Sequence, residues 1–180
     1  MIQEILDYNK KFVENKEYEC YQAGKYPEKK LSILSCMDTR LTELLPAALG
    51  IKDGDAKIIK NAGAVITHPF GSVVRSLLVA IVELGVEDVM VIGHTDCGVQ
   101  HIDSDMILGH LKERGINMES VEMLKYAGVD FEKWLCGFNT IRESVEDTVK
   151  TLKEHPLIPK DVGITGYIMD TKTGELYPVC

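Results

Sequence analysis

Residues 71–92 constrain the fold of this chain more than any other stretch. Residues 71–84 carry Val73, Val74, Leu77, Leu78, Ile81 and Val82 at helical spacing, and Gly85 closes the run, so a long buried helix is predicted there. Four consecutive apolar residues follow, Val89-Met90-Val91-Ile92, before Gly93 stops them. A run that short with no polar alternation reads as a strand buried on both faces, residues 88–92. Residues 31–35 and 56–60 read as two earlier strands, with a short helix over 41–49 between them. Strand, helix and strand in alternation predict a parallel sheet covered by helices.

The remainder extends that plan. Residues 138–154 hold Ile141, Val145, Val149 and Leu152 in helical register, and Pro156 and Pro159 end the run. Residues 162–170 read as a fourth strand, Thr171-Lys172-Thr173-Gly174 as a hairpin turn, and 175–179 as an antiparallel edge strand. Between Gly98 and Gly137 the pattern weakens into short helical pieces at 103–112, 119–126 and Phe131–Leu135. Residues 1–20 carry Ile2, Ile5, Leu6, Phe12 and Val13 as an approximate helical stripe, and 21–30 connect it to the first strand. The expected architecture is α/β: a central parallel sheet of about four strands extended by an antiparallel edge strand and flanked by helices. Residues 1–30 are expected to form an N-terminal helical arm and 31–180 the core of one domain.

Composition narrows the function classes. At 180 residues and 45% hydrophobic the chain is ample for one packed α/β domain. A net charge of -8 with no Lys/Arg cluster argues against a nucleic-acid partner, whose binding rests on phosphate neutralisation. Lys10-Lys11 and Lys29-Lys30 read as solvated faces. No apolar run approaches the roughly 20 residues that cross a bilayer, and Met1–Asp7 lacks a basic start with an apolar core, so neither a membrane nor a leader is expected. Five cysteines, Cys20, Cys36, Cys97, Cys136 and Cys180, are an odd and scattered set, which points to a reduced, cytoplasmic protein.

Two of those cysteines stand where chemistry is expected. His94 and Cys97 follow the buried strand in Gly93-His94-Thr95-Asp96-Cys97-Gly98, and open α/β sheets place their ligands at that end of their strands. Cys36 ends the 31–35 strand, so two strands finishing side by side would bring Cys36, His94 and Cys97 together. Singly, a cysteine after a strand is a small buried hydrophobe, His94 a core residue, and Asp38–Arg40 a surface pair. As a set they suit zinc, because two thiolates and an imidazole match it better than an oxygen-seeking cation. Three protein ligands leave a fourth position for water or substrate. Asp38 is the candidate fourth ligand, and Arg40 could hold that carboxylate off the metal through a bidentate pair. Two thiolates nearly neutralise Zn²⁺, so a bound water is less acidic than the value of about 7 reached on three histidines, and activity is expected to rise on the alkaline side. Small residues at Asn61-Ala62-Gly63-Ala64 let backbone come close to something. His68, His101 and His110 are expected at the surface.

On these residues the chain resembles the β-class carbonic anhydrases, over about residues 31–179. Ser35-Cys36-Met37-Asp38-Thr39-Arg40, Lys60-Asn61-Ala62-Gly63, Leu84-Gly85-Val86 and Gly93-His94-Thr95-Asp96-Cys97-Gly98 fall in that family's order and spacing. The resemblance implies that Cys36, His94 and Cys97 bind one Zn²⁺ and that Asp38 with Arg40 opens or blocks the fourth position. It implies reversible hydration of CO₂ to bicarbonate, and a homodimer or multiple of dimers with the N-terminal helix reaching over the partner. Lys52 and Lys60 stand where the plant-like branch carries Gln and Arg, which matches the short archaeal and bacterial branch. The same scaffold hosts hydrolysis of CS₂ or COS. A non-catalytic zinc-holding or redox-sensing protein, with Asp38 locked on the metal, is the alternative outside enzymology.

Overall fold

The computed structural model describes all 180 residues. Strands β1 (Leu31–Cys36), β2 (Ala56–Asn61), β3 (Asp88–His94), β4 (Gly163–Met169) and β5 (Leu176–Pro178) form one sheet in the order β2-β1-β3-β4-β5. The first four strands are parallel and β5 is antiparallel to β4, as the pattern of buried runs and the final hairpin turn predict. The helices are α1 (Ile2–Glu14), α2 (Leu41–Ala48), α3 (Ser72–Leu84), α4 (Ser104–Glu113), α5 (Met118–Tyr126), α6 (Phe131–Leu135) and α7 (Ile141–Glu154). After β1 the chain lays β2 on one side, then crosses back to lay β3 on the other. The C-terminal ends of β1 and β3 therefore flank a topological switch point, where sheets of this kind open a crevice.

Both faces of the sheet are packed. On one, Val89 and Val91 of β3 meet Leu77 and Ile81 of α3 and Val145, Val149 and Leu152 of α7. On the other, Ile33 of β1 and Ile92 of β3 meet Leu41 and Leu45 of α2 and Met169 of β4. Val91 and Ile92 are successive yet belong to opposite layers, because strand side chains alternate. Each such side chain contributes about 1.5–3 kcal/mol on burial. Leu108, Val121 and Phe131 form a separate small core where α4, α5 and α6 meet.

Three local expectations are corrected. Gly93 does not stop β3, which runs on to His94. It is glycine because α7 crosses there: a Cβ would lie 2.8 Å from Val145 Cγ2 and 3.0 Å from Ile141 Cγ2. Val82 is exposed, since α3 turns only its Val74, Leu77, Ala80 and Ile81 face fully inward. The helix expected from residue 138 begins at Ile141, because Thr140 caps it by accepting from the Glu143 amide at 3.3 Å. No helix is long and apolar enough to cross a membrane.

Candidate metal centre

Ser35 pairs with Ile92 across the sheet, so β1 and β3 end within two residues of one another. Cys36 is the last residue of β1, His94 the last of β3, and Cys97 stands in the turn that follows. All three are buried, and their ligand atoms lie within 4.8 Å of one another. The sulfurs are 4.0 Å apart. Zinc–sulfur bonds of about 2.3 Å at a tetrahedral angle would set them about 3.8 Å apart, so little movement is needed. His94 Nδ1–H donates to the Thr95 carbonyl at 2.9 Å, which leaves Nε2 as the bare lone pair. That Nε2 is buried and has no partner in the chain. A lone pair left so costs about 1–3 kcal/mol, and a metal ion would satisfy it. The three side chains fit zinc.

The Asn61-Ala62-Gly63 stretch comes close to Cys36, whose sulfur accepts the Gly63 amide at 3.3 Å. Glycine is required there twice over. Its φ is +86°, and a Cβ would stand 3.1 Å from Phe138 Cε1 and 3.3 Å from Val99 Cγ1. Val99 and Phe138 pack against the core that contains both cysteines, giving the cluster an apolar wall.

The Cys97 hydrogen bond, helped by His94 and the Gly63 amide, outweighs burial and carries the Cys36 thiol below its ordinary range. Cys97 is raised in turn, by Cys36 and then by burial. Burial pushes the His94 imidazole down, but Cys36 and the Thr95 carbonyl outweigh it and leave it raised.

Asp38 stands beside the cluster, its Oδ2 3.9 Å from His94 Nε2. Arg40 holds it in the bidentate manner expected, Nε to Oδ1 at 3.0 Å and Nη2 to Oδ2 at 2.8 Å, while the Arg40 amide donates to Oδ1 at 2.9 Å. Those bonds keep the carboxyl well below the usual carboxylate range. Asp96 went unforeseen as a partner: Arg40 Nη1 donates to its Oδ2 at 2.8 Å and Nη2 to its carbonyl at 2.7 Å. Its only signal in the sequence is its place inside the His-Thr-Asp-Cys run.

The two lysines part company. Lys60 Nζ donates to the Leu41 carbonyl at 3.0 Å; burial lowers its pKa, and the charges of Cys36 and Asp38 oppose that. Lys52 lies in the turn after α2, where its amide bonds Asp55 at 3.0 Å. His68, His101 and His110 are exposed and outside the cluster. His155, which no pattern singles out, is buried at the end of α7, accepting the Leu157 amide on Nδ1 at 3.2 Å and donating from Nε2 to the Pro69 carbonyl at 2.9 Å. Both its nitrogens are used, so it pins structure.

A Cys₂His donor set thus stands at the sheet switch point with an arginine-held carboxylate beside it, the set that the sequence resemblance implies. The carbonic anhydrase family model matches residues 31–176, and the chain belongs to that family. Within it the chain is of the β class. The crystal structure of β-carbonic anhydrase isoform I from Trichomonas vaginalis matches with a TM-score of 0.90 and 33% identity, covering 99% of this chain and 97% of that one. The YtiB protein of Bacillus subtilis (strain 168) is 52% identical over 176 residues, 98% of this chain and 94% of its own. A carbon disulfide hydrolase of Acidithiobacillus thiooxidans is 34% identical over 166 residues, 87% of this chain and 80% of its own.

Proposed function

We propose that this chain is a carbonate dehydratase that interconverts CO₂ and bicarbonate, using Cys36, His94 and Cys97 to hold one Zn²⁺ and Asp38 with Arg40 to manage the fourth position. The observation that carries this reading is the bidentate Asp38–Arg40 pair beside the three ligands, which turns the carboxylate toward the guanidinium. When bound, zinc would supply Lewis acidity that makes a water nucleophilic, more so on the alkaline side because two thiolates offset its charge. The chain does the rest. Asp38 accepts a hydrogen bond from the nucleophile and aims its lone pair, and Arg40 fixes Asp38. The Gly63 amide spreads charge off Cys36. The apolar wall of Val99 and Phe138 suits an uncharged substrate and excludes water.

Residues 31–180 act as one zinc-binding core, and residues 1–30 as an arm over a second subunit, since Ile2, Ile5, Leu6 and Val13 of α1 stay exposed within their own chain. The working assembly is a homodimer or multiple of dimers, and the working compartment the cytoplasm. Hydrolysis of CS₂ or COS is the second reading, favoured by the 34% identical carbon disulfide hydrolase. The bidentate pair speaks against a zinc-holding protein with Asp38 locked on the metal.

Stopped-flow CO₂ hydration between neutral and alkaline pH, on protein of verified zinc content, tests the reading. Fast hydration that rises with pH is expected. No hydration from fully loaded protein would overturn it and make CS₂ and COS the next substrates.

A further inference from the structure

We propose that Asp96 is a positioning residue: its carboxylate and its carbonyl together lock the Arg40 guanidinium relative to the metal ligands, and so keep Asp38 turned to one side. The lock stands on geometry alone; its consequence for turnover rests on the function proposed above.

Asp38 and Arg40 belong to one turn, two residues apart, and their mutual hydrogen bonds fix them only relative to each other. The backbone of that turn is held by the Met37 amide on the Asn61 carbonyl and by buried Leu41, whereas the exposed Arg40 side chain needs a partner of its own. Asp96 anchors that guanidinium from outside the turn, and from the segment that carries His94 and Cys97. The geometry uses different hydrogens of the guanidinium. Nε–H and one Nη2–H take Asp38; the other Nη2–H takes the Asp96 carbonyl, and Nη1–H takes the Asp96 carboxylate. Asp96 therefore adds a second held edge without competing for the first.

The turn that presents Asp96 is itself tied down. Asp96 has φ +54°, a left-handed conformation that aspartate adopts more readily than most residues. Its neighbour Thr95 accepts the His94 Nδ1–H on its carbonyl at 2.9 Å and the Thr171 amide on its hydroxyl at 3.1 Å. One short turn thus orients an imidazole ligand, reaches the end of β4 and holds Arg40. Arg40 and Asp96 are exposed, so their pair adds little to folding stability. Its effect lies in the order it gives a long side chain rich in rotamers.

The test uses the zinc-loaded full chain. Asp96→Gly keeps the left-handed turn and the carbonyl while removing the carboxylate, and Asp96→Asn returns a neutral acceptor. Nitrogen-15 NMR of the Arg40 guanidinium, identified by its absence in Arg40→Lys, reads the lock without reference to activity. Separate, slowly exchanging Nη proton signals are expected in the wild type, averaged signals in Asp96→Gly and separate ones again in Asp96→Asn. In CO₂ hydration, kcat of Asp96→Gly should fall about tenfold at full zinc content with KM little changed, the low end of what outer partners of a metal site contribute. Arg40 signals that stay separate in Asp96→Gly would overturn the proposal. A fully loaded wild type that fails to hydrate CO₂ would instead overturn the function, while the NMR result still judges the lock.

Discussion

The tip of β1 and β3 and the helix α1 are both strongly patterned in the sequence, and the fold treats them in opposite ways. At the tip, Cys36, His94 and Cys97 are buried, and the two buried side-chain polar atoms without a partner, His94 Nε2 and Asn61 Oδ1, both lie there. Along α1, none of 13 residues is buried, although Ile2, Ile5, Leu6 and Val13 share one stripe. Local pattern decides the element in both places. Only at the tip does the same chain supply the surface that completes it. On the function proposed above, an ion would complete the first and a second molecule the other.

Ligand replacement should widen that difference most. His94→Ala or Cys97→Ser is expected to lose zinc and to reduce CO₂ hydration on the order of 10³-fold or more, because the water loses the ion that makes it a nucleophile. Metal analysis and stopped flow read both effects. Hydration that persists in metal-free His94→Ala would end the comparison, since the tip would then not need what completes it.

Asp38→Ala comes next, with zinc retained and hydration reduced roughly 10- to 100-fold. It also has a pH signature. Arg40 depresses the Asp38 carboxyl in the folded state, so the pair contributes stability above the unfolded carboxyl value of about 4. That contribution is lost as pH falls toward the folded value. Urea unfolding should show a wild-type advantage over Asp38→Ala that is constant from neutral pH down to about 4 and shrinks below it. An advantage that grows on acidification would contradict the pairing.

Gly63→Ala is a smaller lesion at the same tip. The added methyl meets Phe138 and Val99 and must adopt φ +86°. About 1–3 kcal/mol of stability should be lost, with weaker zinc retention as the amide leaves Cys36. Unchanged unfolding in urea would mean the tip is looser than its geometry.

These contrasts match what the sequence lets one read. The strand runs at 31–35 and 88–92 imply parallel neighbours, and neighbours in register bring Cys36 to His94. Asp38 and Arg40 pair two residues apart, within reach of any local reading. The Arg40–Asp96 contact spans 56 residues between two exposed side chains, which leaves no periodic trace. The role of Gly93 depends on Val145 and Ile141, set in place by a helix about 50 positions later. Long-range closeness of polar or very small residues is what hydropathy patterns cannot encode.

The smallest effect on the chain itself is expected at α1. Replacing exposed Ile5 and Leu6 together by Asp breaks the apolar stripe at its middle without touching any buried residue. Exposed substitutions away from packed features change stability by no more than about 0.5 kcal/mol, so the sheet should keep its fold and zinc should stay bound. The change should appear in mass: light scattering should show a shift from a dimer or its multiples toward the single chain. Because association stabilises whatever it binds, the wild-type unfolding midpoint should rise with protein concentration and that of the double variant should not. A double variant that keeps the wild-type mass and concentration dependence would show that α1 needs no second molecule. A variant that loses zinc would show that the arm reaches the metal centre after all.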